Sequence, residues 1–222
     1  MPPMNPERLP RVGVAILAKA PIAGLAKTRL IPHLGAEGAA ALQGWLLQRA
    51  VATAVIADVG PVTLWCTPDV HHPEFAVCRA FGPVELRRQP EGDLGERMHA
   101  AIDESAATAG TLVIGTDCAV LTPGLLQQAA DSLRRHDATL IPAEDGGYVL
   151  IGMRQAGRRA FHAIDWSTER VMAQTRERLS SLHWRWHEGP ALWDVDSAAD
   201  FERLADMFPQ ARAFARTPQP FA

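Results

Sequence analysis

Cysteine is scarce in this chain: Cys66, Cys78 and Cys118 are the only three in 222 residues, and no two form a CxxC pair. That excludes a disulfide framework and disfavours structural zinc, and it is the usage expected of a reduced, cytoplasmic protein. Neither sign of charge dominates, with 22 lysines and arginines against 25 aspartates and glutamates and a formal net charge of -3. The chain therefore has no broad basic field to hold nucleic acid, although a single loop can still bind phosphate. Long apolar runs are missing as well. No stretch reaches the eighteen or so continuous apolar residues of a membrane span, and Met1 to Arg11 holds prolines without the apolar segment of a signal peptide. The eight histidines show no HExxH or other metal spacing, and no GxSxG nucleophile elbow is present.

What remains is 47% hydrophobic and 21% charged, the balance of a soluble globular chain rather than a disordered, collagenous or coiled-coil one. The length suits one domain over 1–222. Val12 to Ala18 is a short branched apolar run and predicts a buried parallel strand. An irregular segment to Gly35 precedes a helical pattern over Ala36 to Asp58. Strands are predicted at Val62–Cys66, Val84–Arg88, Thr111–Gly115, Ala138–Pro142 and Tyr148–Met153, with helices at Leu94–Ala107 and Pro123–Arg135. Later, a helix is expected from Trp166 to Leu182, an edge strand over His183–His187 and a last helix over Ala198–Met207. The segment Thr67–Pro83 carries no usable signal, and the tail from Pro209 reads as poorly ordered. Alternation of strand and helix argues an open, mostly parallel α/β sheet covered on both faces.

In such sheets ligands bind at the carboxyl ends of strands. Three clusters fall there. Lys19, Gly24, Lys27 and Arg29 follow the first strand, and a glycine loop with three cations suits an anion. It is no P-loop, because Ala26 precedes Lys27, and the same spacing also describes a solvated basic loop. Asp117 ends the strongest central strand, where a carboxylate either holds Mg²⁺ or Mn²⁺ against a diphosphate or caps a turn. Asp145 lies in Glu144-Asp145-Gly146-Gly147, which can meet a ligand or simply make a hairpin turn. Beyond these, Arg97 follows Gly92-Asp93 at a helix start and could reach phosphate. Asp194 and Asp196 flank Val195, so on an extended chain both point the same way, while Ser197 and Asp200 form a capping box. Cys118 reads as a small buried hydrophobe, and Trp184, Trp186 and Trp193 as packing.

The order of AKAPIAGLAKTRL, GDLGERM, GTDC, PAEDGGYVLIG, WST and DVDSAADF from about Val12 to Leu204 resembles one family throughout. It is similar to the bacterial GT-A-like nucleotide-diphospho-sugar transferases and glycosyltransferases, some assigned to arsenosugar biosynthesis. The KTRL start is also similar to that of phospholactate guanylyltransferases. Ala119 and Ser197 depart from the usual Pro and Thr of the family. The resemblance implies a three-layer Rossmann-like sandwich of the GT-A type. It also implies that the first loop binds the nucleotide, with Asp117 and Asp196 as metal-contacting aspartates.

The expectation is a metal-dependent glycosyltransferase that uses a nucleotide-diphosphate sugar and a small-molecule acceptor. Lys19, Gly24, Lys27, Arg29 and Arg97 would bind nucleotide and phosphate, Asp117 and Asp196 the metal, and Asp145 would act as base. The alternative is a nucleotidyltransferase that joins an NTP to a phosphorylated or carboxylated acceptor. The cation density of the first loop favours that alternative, and the lack of a GGxGxR loop counts against it. A non-catalytic nucleotide-binding protein is a third possibility.

Overall fold

Branched apolar residues with both faces covered make the first strand, β1 (Gly13–Lys19), and the pattern repeats in each central strand. The computed structural model describes residues 11–215 apart from 106 and 108. Seven strands form one sheet: β1, β2 (Val62–Thr67), β3 (Val84–Arg88), β4 (Thr111–Ile114), β5 (Ala138–Pro142), β6 (Tyr148–Met153) and β7 (Trp186–Glu188). Their order is β3-β2-β1-β4-β6-β5-β7. β6 runs antiparallel to both its neighbours, β4 and β5, while every other pairing is parallel. The sheet is therefore mostly parallel and α/β, and its order reverses between β1 and β4. That reversal opens a crevice at the carboxyl ends of these two strands.

Two helical layers cover the sheet. One face packs Val14, Ile16, Leu112 and Ile114 against α1 (Ile31–Ala57) and α4 (Pro123–Ser132). The other packs Ala15, Val113, Ile151 and Met153 against α3 (Leu94–Asp103) and α5 (Val171–Ser181). By length and composition the stretch Thr28–Ala57 could cross a membrane, but most of it is buried in this core. Helix starts follow their caps: Asp93 and Glu96 box α3, Thr122 accepts from Leu125 ahead of Pro123 in α4, and Ser197 and Asp200 box α6 (Ala198–Met207).

A third apolar cluster matters most for the site. Leu30, Leu34, Leu42 and Leu46 meet Trp193, Val195, Phe201, Leu204 and Ala211. Each leucine, valine or phenylalanine here contributes roughly 1.5–3 kcal/mol on burial. Together they dock the C-terminal segment beside the loop that follows β1.

Several boundaries differ from the pattern reading. The unassigned stretch holds a short helix, α2 (Pro73–Cys78), and a 3₁₀ turn at Arg79–Phe81. α3 and α4 end at Asp103 and Ser132, earlier than periodicity suggests. α5 opens at Val171 rather than Trp166, because Ser167 takes a positive φ of 64° and Thr168 turns its hydroxyl onto the Asp165 carbonyl (2.7 Å). Pro209–Phe214, the start of the tail that reads as poorly ordered, forms a 3₁₀ helix whose Phe214 packs on Trp45. The rest of the expected tail, 216–222, lies outside the described residues, as does 1–10.

Candidate functional site

The loops after β1 and β4 meet at the switch point because the two strands pair in parallel, Ile16 opposite Ile114. A cleft of about 770 Å³ opens there, large enough for a small-molecule ligand. Lys19, Lys27, Arg29, Asp117, Asp145 and Asp196 all line it, together with Asp194. Six of the eight residues expected from sequence thus converge on one cavity. Gly24 and Arg97 are not on its wall. Gly24 sits exposed at φ 81°, a turn position that favours glycine. Arg97 instead donates to the Gly92 carbonyl (3.1 Å) and to Gln89 Oε1 (3.3 Å), bracing the start of α3.

Lys27 is at the centre of the charged end. Its Nζ lies 2.6 Å from Asp117 Oδ1 and 3.0 Å from Asp196 Oδ1, and it donates to the Val195 carbonyl at 2.7 Å. An ammonium has three donors, and all three are engaged. Sequence assigned this lysine to phosphate; the structure gives its ammonium to two carboxylates. Only 6% of the side chain is exposed. Burial alone would lower its pKa, but the charges of Asp117 and then Asp196 outweigh that and hold it above the ordinary lysine value.

The other cations differ. Arg29 is 79% exposed, with Nη1 3.9 Å from Asp196 Oδ2. Lys19 is exposed and donates to the Leu25 carbonyl (2.7 Å), which closes its own loop. Both stand at the cavity with charge left for an anion.

Asp117 and Asp196 are brought together from separate parts of the sequence, the loop after β4 and the segment before α6. The Val195 N–H donates to the Asp117 carbonyl (3.0 Å), and the Asp196 N–H donates to Asp200 Oδ2 (3.2 Å). The capping box that starts α6 therefore also fixes the Asp196 backbone. Thr116, next to Asp117, accepts from the buried Gln43 amide of α1 (3.0 Å). Asp194 and Asp196 both face the cleft, as alternation on an extended chain expects. Burial first, then Asp117, Asp145 and Asp196, push the Asp194 carboxyl up to about 7.

Asp145 is exposed on the wall and accepts from the Gly147 N–H (2.9 Å). Gly146 has φ 90°, and a Cβ there would lie 2.2 Å from the Glu169 carbonyl. The Met172 N–H donates to the Gly146 carbonyl (2.8 Å), so this turn is clamped to the start of α5. Trp166, Ser167, Thr168 and Glu169, predicted to be helical, line the cleft instead. The sequence pattern missed Gln43 because an amide inside an apolar helix gives no periodic signal. The opposite wall is apolar: Leu17, Leu94, Met98 and Tyr148. Tyr148 sets its hydroxyl 3.7 Å from Met98 Sδ. Cys118 also lines the cleft, with its thiol pushed up to about 12, by burial first and then by Asp194. That is no activated nucleophile.

The donor set at the rim is carboxylate only, which suits a hard divalent cation. Among the described residues no group of three or more such ligands forms a complete cage. Two protein carboxylates with the remaining positions left to water and ligand phosphate is the usual arrangement for Mg²⁺, and Asp117 and Asp196 fit it.

A family profile described as an uncharacterized protein conserved in bacteria, DUF2064, matches residues 50–168, more than half of the chain. The chain belongs to the DUF2064 family. Among solved structures, this DUF2064 protein is similar to a candidate nucleotide-diphospho-sugar transferase from Desulfovibrio desulfuricans G20. That match has 26% identity and a TM-score of 0.78, and it covers 90% of this chain and 88% of the other. A 4-diphosphocytidyl-2C-methyl-D-erythritol synthase from Anaerococcus prevotii DSM 20548 shares 10% identity with a TM-score of 0.59, over 90% and 99% of the two chains. A nucleotidyl transferase from Methanothermobacter thermautotroptrophicus shares 12% with a TM-score of 0.58, over 90% and 98%. At such identities the last two show a common fold. No curated protein matches the DUF2064 chain.

Proposed function

We propose that this protein transfers a sugar from a nucleotide-diphosphate donor to a small-molecule acceptor, in the cleft between the β1 and β4 loops. The single observation that carries the reading is the convergence of Asp117 and Asp196 on Lys27, with Lys19 and Arg29 beside them. Breaking the bond from sugar to diphosphate builds negative charge on the leaving group, so a site must supply preorganised positive charge. Arg29 and Lys19 contribute it from the β1 loop, and Lys27 holds the two aspartates in place. Asp117 and Asp196 would hold a divalent cation, which would supply further positive charge toward the diphosphate. Asp145, exposed in the same cleft, serves in this reading as the base that accepts the proton of an acceptor hydroxyl.

Nucleotidyl transfer is the second reading, and the shared fold with nucleotidyl transferases favours it. One observation weighs the other way. Lys27 neutralises aspartates and Arg29 lies 3.9 Å from Asp196 Oδ2, so the β1 loop offers a phosphate chain less positive charge than its three cations suggest, and a triphosphate carries more charge than a diphosphate ester. The 26% identical relative, a candidate nucleotide-diphospho-sugar transferase, supports the first reading too.

A product assay separates the two. The protein is incubated with Mn²⁺ and an acceptor panel, once with nucleotide-diphosphate sugars and once with NTPs. Release of nucleoside diphosphate from the first set supports sugar transfer. Pyrophosphate release from the second set alone would replace it with nucleotidyl transfer.

A further inference from the structure

Lys27 carries more structural weight than a surface cation needs. Its backbone sits at φ 47° and ψ 45°, the left-handed region that a lysine rarely occupies. Such a conformation persists where surrounding contacts impose it. Here the contacts are the Val195 carbonyl and the Asp196 carboxylate, more than 160 residues away in sequence, and the Asp117 carboxylate. Ala26 before it and Leu30 three residues after it are both buried, so the loop is anchored on either side of the strained residue.

Positive charge already sits within the aspartate pair. Asp117 and Asp196 bring two negative charges, Lys27 returns one in direct contact, and Arg29 lies 3.9 Å from Asp196 Oδ2. A free divalent ion approaching Asp117 and Asp196 meets an ammonium already hydrogen-bonded to one oxygen of each. It must work against that ammonium, although Asp145 and Asp194 add negative charge to the same cleft. A diphosphate changes the balance, because it adds negative charge beside the pair and engages Arg29.

We propose that Lys27 is an internal counter-ion: it withholds the Asp117–Asp196 pair from free divalent cation until a diphosphate-bearing ligand is present. Cation and diphosphate thus enter together. Lys27 is a positioning residue in this role, since it acts through the two aspartates. The inference rests on the preceding reading of Asp117 and Asp196 as cation ligands.

The test uses Mn²⁺, followed by electron paramagnetic resonance on the full chain. Wild-type protein takes up Mn²⁺ weakly by itself. Lys27→Met, which keeps the length but not the charge, binds Mn²⁺ alone at least about tenfold more tightly, since a close like charge has been removed. Adding Asp117→Asn to Lys27→Met abolishes the gain, and Lys27→Arg stays weak. A folded Lys27→Met that binds Mn²⁺ no better than wild type overturns the proposal. A measurement on wild type covers the case in which the variant does not fold. Its melting temperature should stay unmoved by Mn²⁺ alone and rise with Mn²⁺ plus inorganic pyrophosphate; an equal rise with Mn²⁺ alone overturns the proposal. The two failures are distinguishable. If Mn²⁺ with pyrophosphate binds wild type and Asp117→Asn alike, the aspartates are not cation ligands and the underlying reading fails. If Asp117→Asn loses that binding while Lys27→Met gains nothing, only the counter-ion role fails.

Discussion

The backbone N–H of Val195 donates to the carbonyl of Asp117 at 3.0 Å, joining the end of the central strand β4 to a segment near the C-terminal end of the fold. With Val195 fixed, Asp194 and Asp196 on either side of it face the cleft. The bond survives because Val195 is buried among Phe201, Leu204 and the leucines of α1. Phe201→Ala should remove about 3–5 kcal/mol of stability, the usual range for emptying a buried aromatic site. Denaturant unfolding monitored by circular dichroism checks it, and a loss below about 1 kcal/mol would show that the cluster does not hold this segment.

Gly146→Ala should damage the site through its backbone. The residue has φ 90°, and the added methyl would meet the Glu169 carbonyl at 2.2 Å. The turn that carries Asp145 must then move away from the start of α5. We expect a lower melting temperature together with weaker nucleotide binding. Unchanged values for both would show that the turn is not clamped as described.

Much of this architecture is legible in the chain. β3, β5 and β6 carry the predicted bounds, since each is a short run with clear punctuation at both ends. Caps at Asp93, Thr122 and Ser197 are local devices and read directly. The clustering of Lys19, Arg29, Asp117, Asp145 and Asp196 is also foreseeable, because residues that follow parallel strands share one rim. What the sequence hides is long-range partnering. Nothing near Lys27 says that its ammonium will be spent on Asp117 and Asp196. Nor does a local pattern show that Trp166 to Glu169 will leave the helix to wall the cleft, a choice made by the positive φ of Ser167.

The Glu188 carboxylate should stabilise the protein in a pH-dependent way. Arg176 grips it through two hydrogen bonds (2.9 and 2.7 Å), and this pair holds its pKa below the ordinary glutamate value of about 4.3. A depressed folded-state pKa contributes stability that is full above the unfolded value and is lost as pH falls through the folded one. Glu188→Gln should therefore be less stable than wild type at pH 6, with the gap closing toward pH 3. Urea midpoints at the two pH values measure it, and a gap that does not change with pH contradicts the assignment.

The thiols should be inert in the folded protein. Burial pushes Cys66, Cys78 and Cys118 each up to about 12. At pH 8 only about one thiol in ten thousand is then ionised, and the thiolate is the reactive form. An aromatic disulfide reagent should label the native chain slowly and all three cysteines rapidly in guanidinium. A fast native burst of one equivalent would instead mark Cys118 as an activated group in the cleft.

Calorimetric titration of nucleoside diphosphates and their sugar esters into wild type and Asp117→Asn, with Mn²⁺ or with chelator, addresses the cleft itself. At least one of these ligands should bind wild type with Mn²⁺. Its affinity should fall at least about tenfold on chelation and equally in the variant, as expected when one ligand to a bridging cation is lost. Equal affinity in wild type and Asp117→Asn, with Mn²⁺ or without it, would contradict the account.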